Sequence, residues 1–68
     1  MQDDTVARLR RRVRSEFIEM PGLRLTTAQA ARLWALDRRT SQLVLDDLAE
    51  DGFLSRTAAG AYLRVSVG

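Results

Sequence analysis

The sequence predicts a mainly helical α+β domain, in which three helices combine with a small antiparallel sheet. Apolar residues recur three or four positions apart through residues 4–20 and 27–51, which is the spacing of one helix face. Residues 53–65 instead alternate around a turn at Gly60, which is typical of a hairpin. With 68 residues, the chain is expected to form one domain whose core is near the lower limit for independent folding.

The first predicted helix covers about residues 4–20. Its apolar stripe is formed by Val6, Leu9, Val13, Phe17 and Met20. Pro21 cannot continue a helix and Gly22 accommodates a turn, so the helix is expected to end there. The alternation of apolar and polar residues in 23–25 then predicts one short strand.

A second predicted helix, about residues 27–35, begins at two threonines. Either Thr26 or Thr27 can cap it, because a threonine hydroxyl accepts a free backbone N–H of the first turn. Ala28, Ala31 and Trp34 recur at helical spacing and form its predicted apolar face. This position makes Trp34, the single tryptophan, a core residue in preference to a platform for base stacking.

A third predicted helix, about residues 38–51, follows a tight corner. Asp37 is a suitable N-cap, since its carboxylate can accept N–H groups two or three residues later. Gly52 can adopt the left-handed conformation that ends helices. The buried stripe consists of Ser41, Val44, Leu45 and Leu48. A short helix, a corner and a longer helix form a helix-turn-helix.

Residues 53–65 predict two strands joined by a turn that contains Gly60. The complete order of elements resembles the winged helix-turn-helix domains of bacterial transcription regulators, and the pattern is most similar to the IclR and MarR families. The residues that carry the resemblance are Leu25-Thr26, Ala31, Trp34-Ala35-Leu36, Arg38, Thr40, Val44-Leu45, Leu48, Gly52-Phe53-Leu54 and the Arg56–Tyr62 hairpin. The resemblance covers residues 23–65, and residues 4–20 correspond to the usual third helix.

The resemblance implies a small, stand-alone regulator that binds duplex DNA through a recognition helix and a hairpin wing. In such proteins the first part of the recognition helix enters the major groove. Here that part offers Arg38, Arg39, Thr40, Gln42 and Leu43. Arginine can pair with guanine, glutamine with adenine, and leucine can contact a thymine methyl. By spacing, Arg39, Gln42 and Leu43 are expected to point away from the core; alternatively, Arg38, Arg39 and Gln42 form an ordinary solvated first turn.

The wing offers Arg56, Thr57 and Arg64 as further candidate DNA contacts. Arginines of a wing commonly contact the phosphate backbone or the minor groove. The alternative is structural, because an arginine that pairs with an acidic residue across the sheet only stabilises the fold.

The charges are distributed unevenly, although the formal net charge is only +2. Five arginines lie in the first helix, at positions 8, 10, 11, 12 and 14, and four acidic residues lie in the recognition helix or directly after it, at positions 46, 47, 50 and 51. The molecule is therefore expected to be basic on one side and acidic on another. The arginines of the first helix could contact phosphates, bind a protein partner, or form a solvated face.

The same acidic residues keep a second interpretation open, a protein-interaction adaptor that binds little or no DNA. Leu43 and Asp46 stand where a DNA-reading helix usually carries polar or basic groups. Leu33 and Leu43 are expected to be exposed, so they or the first helix could form a homodimer or a contact with a protein partner.

Composition argues against several other classes of function. The chain has no His, Cys or Lys, so the commonest general base, the thiol nucleophiles and the thiolate metal sites are missing. We expect no enzyme, no metal, no cofactor and no small-molecule substrate. No apolar run is long enough to cross a membrane, and the first residues lack the apolar segment of a signal peptide. The expected location is the cytoplasm.

Overall fold

The computed structural model describes residues 3–65, with side chains described from Thr5 onward. It contains three helices and a three-stranded antiparallel sheet, which confirms the predicted mainly helical α+β class. The elements in chain order are α1 Asp3–Glu19, β1 Arg24–Thr26, α2 Thr27–Leu33, α3 Arg38–Glu50, β2 Leu54–Arg56 and β3 Ala61–Arg64.

The corner between α2 and α3 explains why α2 ends at Leu33, two residues before its predicted end. The N–H of Leu36 donates to the carbonyl of Ala31, five residues earlier, at 2.8 Å. This is the 6→1 hydrogen bond of a Schellman motif. Ala35 occupies the left-handed position of this motif, with φ of 55°. Helical geometry therefore stops at the cap residue Trp34, and the chain turns directly toward α3.

The end of α3 uses the same motif with its usual residue. The N–H of Phe53 donates to Leu48 and that of Gly52 to Ala49, both at 3.0 Å. Gly52 has φ of 85°, as predicted for a residue that ends a helix. The C-terminal ends of α2 and α3 therefore share one geometry. The left-handed position is occupied by alanine after α2 and by glycine, which adopts it without strain, after α3.

The remaining boundaries differ from the prediction by a single residue. The strand predicted at 23–25 lies at Arg24–Thr26, because the N–H of Leu23 is used in a turn to the carbonyl of Met20 at 2.9 Å. The first helix ends at Glu19 and the third at Glu50, each one residue earlier than predicted.

The sheet has the order β1-β3-β2, so β3 is its central strand. Tyr62 of β3 faces Leu25 of β1 on one side and Arg56 of β2 on the other. The tip of the β2–β3 hairpin is closed by Thr57, whose N–H donates to the carbonyl of Ala61 at 2.8 Å. Gly60 has φ of 88°, which confirms it as the turn residue.

The core lies where α1 and the sheet pack against the α2–α3 pair. Its centre is the tilted pair of Phe17 and Trp34, whose ring centroids are 6.4 Å apart. The predicted stripe of α3 is fully confirmed, since all four of its residues are buried. The buried cluster consists of Val13, Phe17, Ala30, Trp34, Val44, Leu45, Leu48, Leu54 and Tyr62.

Two predicted apolar stripes are wrong at their ends. Val6 in α1 and Met20, one residue after its end, are exposed, because the core buries only the second half of this 17-residue helix, at Val13 and Phe17. In α2, Ala28 is exposed and Ala30 is buried in its place. The helix is rotated so that adjacent small residues, Ala30 and Ala31, pack closely together with Trp34.

The left-handed conformation of Ala35 predicts that glycine at this position stabilises the protein. Left-handed backbone costs an alanine roughly 1–2 kcal/mol, and the greater entropy of unfolded glycine offsets part of that gain. We therefore expect Ala35→Gly to raise the free energy of unfolding by about 0.5–1 kcal/mol and the thermal midpoint by a few degrees. Thermal and urea unfolding followed by circular dichroism would measure both quantities.

The matched control is Ala7→Gly on the exposed face of α1. Glycine within a helix costs roughly 1 kcal/mol, so this variant should be destabilised. A loss of stability in both variants would show that the backbone strain at Ala35 is not relieved by glycine.

Candidate functional site

The first turn of α3 presents two arginines to solvent. Asp37 caps the helix as predicted, with its Oδ2 accepting the N–H of Thr40 at 3.2 Å. This hydrogen bonding lowers the pKa of the Asp37 carboxyl below its ordinary value. Arg38 and Arg39 follow directly and both are exposed. The cap therefore fixes the position where two guanidinium groups leave the helix start.

The beginning of α2 is tied to α3 by side-chain hydrogen bonds. Thr26 and Gln29 form a capping box, in which each side chain bonds the backbone N–H of the other residue. Thr27, the next residue, donates its hydroxyl to Oε1 of Gln42 at 3.0 Å. The buried Ser41 donates to the carbonyl of Thr27 at 3.3 Å. These bonds fix the start of α2 against α3.

Gln42 points away from the core stripe of α3, as its spacing predicted, but it is not free in solvent. It is half-buried, and its Nε2 donates to the Tyr62 hydroxyl at 2.8 Å and to Oδ1 of Asp46 at 3.0 Å. Thr27 already occupies its amide oxygen. The helical spacing was interpreted correctly, but β3 covers this side of α3, so the Gln42 amide is engaged within the protein.

Tyr62 is the centre of a polar network that joins the hairpin to α3. The residue is only 1% exposed, and its hydroxyl donates to Oδ1 of Asp46 at 2.6 Å. The Arg56 guanidinium donates to the same hydroxyl at 3.4 Å and lies 3.9 Å from Asp46. The hydrogen bond to Tyr62 raises the pKa of Arg56, with a smaller effect of the nearby charges. We call Gln42, Asp46, Arg56 and Tyr62 the hairpin network.

A groove of about 430 Å³ opens between the start of α2, the helix α3 and the tip of the hairpin. Its lining consists of Thr27, Gln42, Arg56, Thr57, Ala58, Gly60 and Tyr62. It brings together three residues that the sequence singled out, namely Gln42 of α3 with Arg56 and Thr57 of the hairpin. Because α3 rises 1.5 Å per residue, Arg38 and Arg39 lie about one turn from Gln42.

Thr57 and Arg64, the other two predicted wing residues, also have contacts within the protein. The hydroxyl of Thr57 accepts the N–H of Ala61 at 3.1 Å and so helps to close the hairpin tip. Arg64 lies away from the groove lining, with its Cζ 5.9 Å from the centroid of the Phe53 ring. The structure therefore assembles part of the predicted wing set at the groove and places Arg64 near the other end of α3.

Leu43 is 57% exposed, as its spacing predicted, and it is not part of the groove lining. Together with Val6 it lines a shallow cavity of about 380 Å³. The other residues of this lining are Asp46, Asp47 and Glu50. This surface therefore combines an apolar floor with an acidic rim.

The predicted separation of charge is partly neutralised within the fold. Arg10 of α1 donates to Asp47 at 2.9 Å and to Asp51 at 3.3 Å. Asp46 accepts a hydrogen bond from Tyr62 and lies near Arg56. A nearby acidic residue is what we expected if the arginines of the hairpin stabilise the fold. Of the four acidic residues at the end of α3 or directly after it, only Glu50 has no hydrogen-bonding partner among the described residues.

Thr27 and Tyr62 are the site residues that sequence reasoning missed. A tyrosine in the second predicted strand of the hairpin was a usable signal, because a buried phenol needs a hydrogen-bonding partner. The acidic Asp46 on the hairpin side of α3 was the complementary signal. Sequence spacing alone could not join them, since 16 residues separate the two positions.

The hairpin network predicts that Tyr62→Phe destabilises the protein without removing its core packing. The phenyl ring keeps its apolar contacts, whereas Asp46 and Gln42 each lose one hydrogen bond. Because Asp46 is partly exposed to water, we expect a loss of about 1–2 kcal/mol in the free energy of unfolding. Urea unfolding would measure the loss, and Ser55→Ala removes an exposed hydroxyl as the control.

A double-mutant cycle of Tyr62→Phe with Asp46→Ala would isolate the interaction between the two residues. We expect the two effects to be clearly less than additive, because both variants remove the same hydrogen bond. Strictly additive effects would contradict the assigned network.

The remaining observations concern the whole described chain. Within residues 3–65, no helix has the length and apolar character needed to cross a bilayer. No group of three or more potential metal ligands comes together among the same residues. Comparison with known proteins gives no match to a family model, to a curated protein or to a solved structure.

Proposed function

We propose that this protein is a small winged-helix protein that binds duplex DNA and acts as a transcription regulator. In this proposal α3 is the recognition helix and the β2–β3 hairpin is the wing. The observation that carries the proposal is the groove between α3 and the hairpin, which has Arg56 in its lining and Arg38 and Arg39 on the adjacent turn of α3. A duplex can engage such a surface with its major groove on α3 and its backbone beside the hairpin.

Arg38 and Arg39 are the residues proposed to enter the major groove. Both are exposed at the start of a capped helix, where the backbone N–H groups also favour phosphate. A guanidinium that binds guanine O6 and N7 contributes about 1–3 kcal/mol of discrimination. Thr40, which follows Arg39 and is half-buried, is proposed to lie beside the DNA backbone when this turn enters the groove.

Arg56 is the residue proposed to contact the DNA backbone from the hairpin. Its hydrogen bond to Tyr62 holds the guanidinium at the groove. Asp46 lies close to the same place, but its carboxylate accepts hydrogen bonds from Tyr62 and Gln42 and lies near a cation. These contacts reduce the repulsion that an isolated carboxylate would exert on a phosphate.

The central test is a double variant, Arg38→Ala with Arg39→Ala, in an anisotropy titration of labelled duplex DNA. Both residues are exposed, so we expect the fold and the thermal midpoint to stay unchanged within about 0.5 kcal/mol. We expect affinity to fall at least tenfold at low salt, and the negative slope of log K against log salt to become shallower by up to about two.

The matched control is Arg8→Ala with Arg12→Ala, which removes the same charge from the exposed face of α1. We expect this control to retain most of the affinity. A folded Arg38 and Arg39 double variant that binds duplex DNA as well as the unchanged protein would contradict these roles.

A second candidate function, a protein-interaction adaptor, is favoured by one specific surface. Val6 and Leu43 are 37% and 57% exposed and line the same cavity, which has an acidic rim. An exposed apolar floor with acidic groups around it suits a basic amphipathic segment of another protein. Leu33 is also 55% exposed, but it is not part of this lining.

The adaptor function predicts a different outcome in the same experiments. Duplex DNA should then fail to bind even at low salt, whereas a labelled peptide with alternating arginine and leucine residues should bind the cavity. Leu43→Ser should lower the affinity for the peptide tenfold or more, since burying a leucine side chain contributes roughly 1.5–3 kcal/mol. Leu33→Ser is the control, and an equal effect of both variants would contradict a specific site at Leu43.

A further inference from the structure

A second basic surface lies at the opposite end of α3 from Arg38 and Arg39. It is a cleft of about 380 Å³ between α1 and the end of α3, lined by Arg10, Arg11, Arg14, Leu48, Asp51, Gly52 and Phe53. The 13 residues of α3 separate the two surfaces by roughly 20 Å along the helix. The cleft is therefore distinct from the groove that the proposed DNA contact uses.

Two guanidinium groups in this region are positioned by one aromatic ring. The Cζ of Arg14 lies 5.0 Å from the centroid of the Phe53 ring, and that of Arg64 lies 5.9 Å from it. A cation over an aromatic face is attracted to the ring. Both side chains thus lose part of their freedom before any ligand binds, which reduces the entropic cost of binding.

The cations of this cleft are in excess over its acids. Arg10 is paired with Asp47 and Asp51. Over residues 5–65, no carboxylate lies within ion-pair distance of Arg11, Arg14 or Arg64. Arg14 and Arg64 place two like charges against the half-buried Phe53 ring, and Arg11 lies in the same cleft lining as Arg14. These cations repel one another, so the binding of an anion beside them would be electrostatically favourable.

The lining of the cleft indicates which class of anion fits best. Phe53, which is half-buried, contributes the accessible apolar surface, because Leu48 is buried in the core. Arginine and aromatic residues together are typical of the centres of protein interfaces. Asp51 lies in the same lining, but it is paired with Arg10 and does not distinguish one class of anion from another. The apolar surface of Phe53 does distinguish them, because a nucleic-acid backbone is a row of phosphates that offers no apolar group to it.

We propose that the cleft binds an acidic segment of a partner protein, in which carboxylates flank an apolar side chain. The carboxylates would bind Arg11 and Arg14, whose planar guanidinium groups match a carboxylate in a bidentate arrangement. The apolar side chain would contact Phe53. This binding does not depend on the proposed DNA contact, because it uses other residues at the other end of α3.

The test uses a labelled peptide with glutamates on both sides of two central leucines, titrated by anisotropy at low and near-physiological salt. We expect the unchanged protein to bind it, and Arg11→Ala with Arg14→Ala to weaken binding at least tenfold. Arg8→Ala with Arg12→Ala carries the same loss of charge on α1 and should change binding less than twofold. A peptide with serines in place of the leucines should bind clearly more weakly.

Several results would overturn the proposal. These are no binding of the leucine peptide at low salt, equal losses in the two double variants, or equal binding of the leucine and serine peptides. Duplex DNA is titrated in parallel. If the Arg11→Ala, Arg14→Ala variant loses affinity for DNA but not for the peptide, the cleft binds nucleic acid. Thermal midpoints verify folding, and Arg14→Gln serves as a milder variant if the double variant unfolds.

Discussion

The hydroxyl of Tyr62 is the contact on which the relation between the hairpin and α3 depends. Its ring lies in the core on the central strand, and its oxygen bonds Asp46 at 2.6 Å and Gln42 at 2.8 Å. The strand and the helix therefore meet at a polar point as well as through apolar packing. The groove beside α3, the position of Arg56 and the orientation of the Gln42 amide all follow from this one attachment. In a domain of this size, whose net stability is small, a charged hydrogen bond is a sizeable part of the total.

A second constraint is the sharp corner that brings α2 and α3 together. The left-handed residue at position 35 turns the chain within three residues of the end of α2, which allows Thr27 at one end of the pair to bond Gln42 in α3. Alanine at this position carries a conformational cost that glycine would not. The capping of α3 by Asp37 and the packing of Trp34 on Phe17 offset that cost, because both depend on the corner.

The parts of the fold that could be predicted from sequence are those with local causes. Asp37, Gly52 and Gly60 act through their own backbone or through residues a few positions away, so the sequence pattern indicates their roles directly. The stripe of α3 was predictable for the same reason. The site was predicted less completely, because its defining contacts join residues far apart in the chain: Gln42 with Tyr62, and Arg64 with Phe53 beside Arg14. Helical spacing gives the side of α3 on which Gln42 lies, but only the packing of β3 determines what covers that side.

The acidity of α3 changes its meaning once these long-range contacts are known. From sequence, the acidic residues late in α3 argue against a helix that approaches DNA. In the structure, Asp46 is engaged with Tyr62 and Gln42, and Asp47 and Asp51 are paired with Arg10. Three of the four carboxylates therefore stabilise the packing of the hairpin and of α1, whereas Arg38 and Arg39 stay exposed. The same pairing leaves Arg11 and Arg14 without acidic partners among the described residues, since Arg10 already engages the carboxylates at that end. The distribution of free charge, which decides what each surface can attract, is thus set by the fold and differs from the distribution of charge along the sequence.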